Sequence, residues 1–502
     1  MLNLLAKHFG SKTRNRSRRP AKRLFMESLE RRELFSTDLL SAFALGNTTD
    51  EMKPEQVAID SVGNRYVTGS FGGTVDFEPG STRVDNSDVL TSNGSRDGFV
   101  AKYSPNDTLL WLKQFGGLAD TGFDDTGTGV ALAGSGNVIV TGRFSGLASF
   151  AGSSLTSVGG IDGLVAKLNS STGATQWVTA WGGSNDERNS DLAVDASGNA
   201  YVTTVTNVLG NSYTAIGMGL QKYNSSGTKV WQKDFNAVAD SYPIHQSTVN
   251  DVAVDSSGNV VIVGSVKGTI DFDPSNQQKI ASSRSTTAYA AKYDSSGAII
   301  WLSPFYGSGP DAAGGFSFAN AVAIDDSSYV IVGGNYEGTV DFNPGKGITW
   351  LQGGGGFIAK LSPSNGALSW ARPLVQTLAP GYGYITTVTS LATDATGGLY
   401  ATGSFAVSVD FDPGVGIVSK SSNGNRDVFV LNLSSSGQFG WVETFGGASD
   451  DIARDLAIDS VGNISLIGVF TGAVDFDPNT GTYELSSPGT KLAGFVARYR
   501  RS

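Results

Sequence analysis

The chain has 502 residues, room for two or three average domains or one large all-β domain, and its 39% hydrophobic content with 66 glycines describes a packed, turn-rich protein. It has no cysteine and only two histidines, His8 and His245. That excludes a disulfide framework, a thiol nucleophile and cysteine-bound zinc, and argues against a Ser-His-Asp triad and histidine-rich metal sites.

Charge divides the chain. Residues 1–34 carry a balance of +7 and the remainder −17. An acidic body repels phosphates, so nucleic acid is not an expected partner. No stretch approaches 18 apolar residues, so no transmembrane segment is expected.

In chain order, residues 1–35 come first, a basic segment expected to be disordered or export-related. LLSAFALG (Leu39–Gly46) is short and late for a signal-peptide core, and Ser17-Arg18-Arg19 lacks the apolar run of a twin-arginine signal. MESLERRELFS (Met26–Ser36) closely resembles an N-terminal segment found on large exported proteins of one phylum of budding bacteria. The resemblance implies export and an extracellular or cell-surface location.

From residue 36 onward a repeat governs the sequence. VAIDSVGN (Val57), VALAGSGN (Val130), LAVDASGN (Leu192), VAVDSSGN (Val252), VAIDDSSY (Val322), LATDATGG (Leu391) and LAIDSVGN (Leu456) follow one another at steps of 60 to 73 residues. Each unit reads as four short strands, with a tight turn after the first and a tryptophan in the fourth. Four strands per tandem unit is the pattern of a β-propeller blade. The expected fold is therefore all-β: a seven-bladed propeller of four-stranded antiparallel blades over residues 36–502, with blade starts near 57, 130, 192, 252, 322, 391 and 456. The invariant alanine of the first strand (Ala58, Ala131, Ala193, Ala253, Ala323, Ala392, Ala457) suits a crowded inner strand. Trp111, Trp177, Trp231, Trp301, Trp370 and Trp441 are expected to fill the wider gaps between blades. The last unit ends after its third strand, so a segment near Leu39–Ala44 is expected to pair with Gly494–Tyr499 and close the ring.

These features resemble the bacterial surface or exported β-propeller repeat (SBBP-type) family across roughly residues 38–502. The resemblance implies the propeller and assigns no activity. The Ser-Ser-Gly-to-Trp units are also faintly similar to the tryptophan-docking repeats of quinone-dependent dehydrogenases, but no cysteine pair accompanies them.

Five units carry a second motif: GTVDFEPG (Gly73), GTIDFDPS (Gly268), GTVDFNPG (Gly338), VSVDFDPG (Val407) and GAVDFDPN (Gly472). Units two and three replace it with GLASFAGS (Gly146) and NVLGNSYTA (Asn207). Strand alternation puts all of these on one face, giving an acidic set of Asp76, Glu78, Asp271, Asp273, Asp341, Asp410, Asp412, Asp475 and Asp477. Three readings compete. The carboxylates can hold the turn through local hydrogen bonds; they can bind calcium, which takes six to eight oxygens; or they can act as an acid–base pair. Repetition favours the first, and no residue is assigned as catalytic. No cofactor is required, with calcium the candidate metal. The leading expectation is a monomeric, non-enzymatic, exported or surface-associated scaffold that binds protein or glycan. The extended Ser303–Phe318 and Leu374–Tyr384 connections are candidate contacts. The alternative is an extracellular polymer-acting hydrolase or lyase with an acidic site at the propeller axis.

Overall fold

Each repeat start becomes the first of four antiparallel strands, and the turn that follows shows why. In the fourth unit the strands are Thr248–Val254, Val260–Asp271, Ile280–Tyr293 and Ile299–Phe305, paired in that order. Asp255 Oδ1 accepts the amides of Ser257 (3.0 Å) and Asn259 (2.9 Å), while Oδ2 accepts Asn259 Nδ2 (2.9 Å). Gly258 supplies the positive φ (77°) that closes the turn. Asp60, Asp195 and Asp459 make the same three bonds in their units. The second unit has Ala133 here and lacks this clamp.

The computed structural model describes residues 37–46, 51–79, 86–117, 123–134, 136–207, 215–237, 247–273, 275, 278–307, 314–343, 347–377, 386–487, 489 and 491–501. The expected basic segment 1–35 lies outside them. All described regular structure is β-strand, and no described helix is long and apolar enough to cross a membrane. The first strands pack side by side in a closed cycle: Met52–Ile59 meets Thr126–Leu132, followed by Asp186–Val194, Thr248–Val254, Gly315–Ile324, Thr387–Thr393 and Ile452–Ile458, which returns to Met52–Ile59. A cycle of inner strands with the sheets running outward is a β-propeller.

Hydrogen bonding overturns the expectation of a seven-bladed propeller of four-stranded antiparallel blades, leaving five blades with sheets of their own. Five of the repeat units form a blade sheet of their own, whereas the first two are joined in one eight-stranded sheet. Phe115 and Gly116, at the end of Leu109–Gly116, pair with Phe150 and Ser149 of Asn137–Phe150. The fifth unit's sheet reaches six strands by taking up Ser408–Asp410 and Ser419–Ser421, with Val375 opposite Asp410 and Thr377 opposite Ser408. The cause is common to both. Beyond its quartet, the second strand continues into a hairpin ribbon whose edge carries unpaired backbone groups, and the preceding unit's fourth strand satisfies them. Single bridges of the same kind join Ala237 to Ile270 and Gly307 to Val340.

The first and last described strands pair as the sequence predicts. Thr37–Leu45 pairs antiparallel with Ala493–Arg501, placing Leu39 opposite Tyr499 and Leu45 opposite Gly494. The core is divided among the gaps between successive units. Ala58 and Trp111 pack with Val130, Val140 and Leu164 of the next unit; Ala253 and Trp301 pack with Val322 and Val332. The indole N–H groups of Trp111, Trp231 and Trp301 donate to the carbonyls of Ser170 (3.0 Å), Ser295 (3.2 Å) and Pro363 (3.1 Å), each in the following unit's outer turn. Trp441 packs with Ala42 of Thr37–Leu45 and Ala497 of Ala493–Arg501, and its buried indole nitrogen has no acceptor among the described residues.

Candidate functional site

The DFDP segments are ribbon clamps by their contacts. Oδ1 of Asp271 accepts the amides of Asp273 (3.0 Å) and Lys279 (2.9 Å). Asp341, Asp410 and Asp475 bond in the same way to the amides two and eight residues on. One oxygen thereby fixes both legs of the ribbon. The second acids cap shorter turns, Asp273 to Ser275 N–H, Asp412 to Gly414 and Asp477 to Asn479. Asp76 accepts Glu78 N–H, and Glu78 Oε1 accepts Leu109 N–H. Burial raises the Asp76 pKa, with Asp88 and Glu78 adding to the effect against its hydrogen bond. Between the acids, Phe77, Phe272, Phe342, Phe411 and Phe476 are buried. The carbonyls of Phe77, Phe272 and Phe476 accept Tyr103, Tyr293 and Tyr499 hydroxyls. The nine acids stay distributed: no group of three or more His, Cys, Asp or Glu among the described residues is placed to hold a metal. Of the two extended connections, residues 308–313 and 378–385 lie outside the described set.

The axis holds a second constellation, built by an irregularity that recurs in all seven inner strands. Each first strand shifts register once: between Pro54 and Gln56, Gly127 and Gly129, Asn189 and Leu192, Val249 and Asp251, Ala319 and Ala321, Val388 and Ser390, and Ala453 and Asp455. Such a bulge re-aims a side chain. Here Glu55, Thr128, Ser190, Asn250, Asn320, Thr389 and Arg454 line a channel of about 500 Å³, together with Arg143 and Arg188.

The next residue inward stitches neighbouring units. Asp455 Oδ2 accepts Val57 N–H (2.8 Å), Asp191 Oδ2 accepts Val252 N–H (3.2 Å) and Asp251 Oδ2 accepts Val322 N–H (2.6 Å). Ser390 Oγ–H donates to Asp455 Oδ1 (2.6 Å), and Gln56 Nε2 reaches Asp191. Protein surrounds these acids on every side except the channel. Burial pushes the Asp455 pKa up to about 7, with the Asp191 charge adding to it and the Ser390 and backbone hydrogen bonds opposing it. Burial raises Asp251 well above the carboxylate range, reinforced by the Asp191 carboxylate to which it is hydrogen-bonded.

The bulge residues fall into two arcs. In units four to six they bond to the next unit: Asn250 Nδ2 to Ala319 O (2.8 Å), Asn320 Nδ2 to Thr387 Oγ1 (2.9 Å) and Thr389 Oγ1 to Ala453 O (2.9 Å). In units seven, one, two and three the wall is charged instead. Glu55 lies within the fields of Arg454 and Arg143, which oppose the upward shift that burial imposes on its pKa. Burial lowers the Arg143 pKa, and the neighbouring Arg188 charge lowers it further. Among the described residues none of these three arginines forms a salt bridge, and Nε of both Arg188 and Arg454 is buried without an acceptor. Asp124, which also attracts Arg143, bonds to Ser95 and lies 3.6 Å from Arg96.

The sequence reading missed this site. Its signal was present: the two residues ahead of each V-A or L-A pair run EQ, TG, SD, ND, NA, TS and RD, varying inside an otherwise repeated frame. Arg143 likewise occupies a position that is Ser70, Ser265 and Ser404 in other units.

No family model matches the chain, and no curated protein matches it. Among solved structures, it is similar to the quinohemoprotein alcohol dehydrogenase from Comamonas testosteroni at 11% identity and a TM-score of 0.42, covering 92% of this chain and 76% of that one. It is also similar to BamB from Moraxella catarrhalis at 14% identity and a TM-score of 0.35, covering 93% of this chain and all of that one.

Proposed function

We propose that the protein is a non-enzymatic, exported or surface-associated binding scaffold that takes a protein or glycan ligand at its axial channel. The observation behind this reading is the charged arc, where none of the three arginines forms a salt bridge among the described residues and Nε of Arg188 and Arg454 is buried without an acceptor. A polar pocket of a few hundred cubic ångströms suits a small ligand or one residue of a polymer. Export rests on the Met26–Ser36 segment. The test is a glycan and protein array probed with the full-length chain, with and without calcium. Reproducible ligand classes that compete at one site support the reading, and uniform background across both arrays counts against it.

Calcium is an additional proposed ligand of the DFDP face, through Asp76, Glu78, Asp271, Asp273, Asp341, Asp410, Asp412, Asp475 and Asp477. The Oδ2 atoms of Asp271, Asp410 and Asp475 have no partner among the described residues, which leaves them open to an ion. A melt with calcium and with chelator checks this, and superimposable curves count against it.

The second reading, a polymer-acting hydrolase or lyase, draws support from the raised pKa values of Asp455 and Asp251, since a general acid needs such a value. Those carboxylates already accept inter-unit backbone N–H groups, which favours the binding reading. Release of new reducing ends from acidic or neutral polysaccharides, lost in Asp455→Asn, would reverse the order.

A further inference from the structure

We infer that the axial channel recognises an anionic sugar, by its carboxylate, on the arc made by units seven, one, two and three. This rests on the binding reading above and specifies its ligand. Arg454, Arg143 and Arg188 line one cavity with four carboxyl side chains, of which Asp191, Asp251 and Asp455 already accept inter-unit backbone N–H groups. A buried guanidinium nitrogen without an acceptor is costly, and among the described residues two of these three arginines have one. Nothing in the repeat requires them. The second-strand position of Arg143 is filled by Ser70, Ser265 and Ser404 elsewhere, and the first-strand position of Arg188, opposite Val205, is filled by Thr126, Thr248 and Thr387. Arg143 and Arg188 also belong to the two units that lack the DFDP motif.

The guanidinium fork matches a carboxylate in a two-bond geometry, and a low-dielectric pocket strengthens the pairing. An arginine-only site would accept any anion. The sugar assignment comes from Thr128 and Ser190, which line the channel on the same arc, the Thr128 hydroxyl sharing a 3.3 Å hydrogen bond with Thr141. On the opposite wall Asn250, Asn320 and Thr389 have their donors committed but keep acceptor oxygens for ring hydroxyls. The channel is too narrow for a folded partner, so a protein ligand would have to enter as an extended acidic tail.

Calorimetric titration of the full-length protein tests this with four probes: trigalacturonate, maltotriose, a sulfated disaccharide and a hexa-aspartate peptide. Trigalacturonate is expected to bind one to one and to weaken with added salt. Arg188→Gln and Arg454→Gln should each reduce its affinity roughly tenfold to a hundredfold. Arg188→Lys should retain part of it, and Arg500→Gln, at an exposed surface pair, none of the loss. Thermal melts of each variant separate lost contacts from lost fold. Equal binding of maltotriose, unaffected by the arginine variants, overturns the anion assignment and leaves the glycan scaffold standing. Preference for the sulfated sugar overturns the carboxylate, and preference for the peptide overturns the sugar. Silence of all four probes overturns the inference, and the array then decides the broader reading separately.

Discussion

Asp455→Asn should flatten the pH dependence of stability. In the folded protein burial holds this carboxyl near pKa 7, against 3.8 as the ordinary value. The folded state therefore keeps a proton that the unfolded chain releases, and stability falls as the pH rises from about 4 to about 7, then levels. A gap of this size corresponds to roughly 4 kcal/mol in full, of which roughly 2–3 kcal/mol accrues between pH 5 and 8. Channel water on one side of the carboxyl reduces that to about 2 kcal/mol. Phe35–Ser502 forms one compact unit. If it unfolds cooperatively, its entropy is on the order of 1 kcal/mol per kelvin, so the melting temperature should drop by about 2 °C from this residue alone. Asp125 and Asp451, which burial also raises to about 7, act in the same direction. The asparagine can still accept Val57 N–H through its carbonyl and meet Ser390 through its amide, so the geometry survives without the ionisation. Melts of both proteins at pH 5, 6.5 and 8 provide the assay, with the variant gaining on the wild type only toward pH 8. Parallel slopes for the two proteins would refute the assignment.

Phe272→Ala removes a ring packed 4.5 Å from Tyr289 and 5.5 Å from Phe235, and should cost about 3–5 kcal/mol in denaturant unfolding. A loss below 1 kcal/mol would mean the DFDP phenylalanine is not an anchor. Lys292 and Asp255 form a 2.9 Å pair, both side chains 3% exposed. Lys292→Met should destabilise by about 3–5 kcal/mol, and adding Asp255→Asn should restore much of it; a double variant no better than the single contradicts the pairing. Asp410→Asn retains a carbonyl acceptor but loses the charge assistance to two amides, for about 1 kcal/mol. That loss should be the same with and without calcium if the clamp is its whole role. Deleting residues 37–45 exposes the edge of Ala493–Arg501. Dimers or aggregates should then appear by light scattering, and an unchanged monomer would argue against ring closure through this strand.

Much of the molecule was legible in the sequence because its determinants are local. The Asp-to-Asn turn, the strand alternation, the alanine and the tryptophan each act within a few residues of themselves or on the adjoining unit, so repetition exposes them. The pairing of Leu39 with Tyr499 was readable for a related reason: a unit one strand short must find that strand elsewhere. The clamp role of Asp271, Asp341, Asp410 and Asp475 was the foremost of three readings, and the hydrogen bonds to residues two and eight positions on show how it works.

The tertiary structure decided what depends on relations between units. The merger of the first two units through Phe115 and Phe150, and the capture of Ser408–Asp410 by the fifth unit's sheet, use backbone groups that carry no side-chain signature. The channel site is likewise spread over four units. Arg454, Glu55, Arg143 and Arg188 are up to 399 positions apart in the chain, and a bulge in each inner strand turns one side chain toward the axis. Sequence alone determined the repeating unit and how it turns; closure around an axis determined which of its variable residues face one another, because convergence at a centre is a property of the ring and of no single repeat.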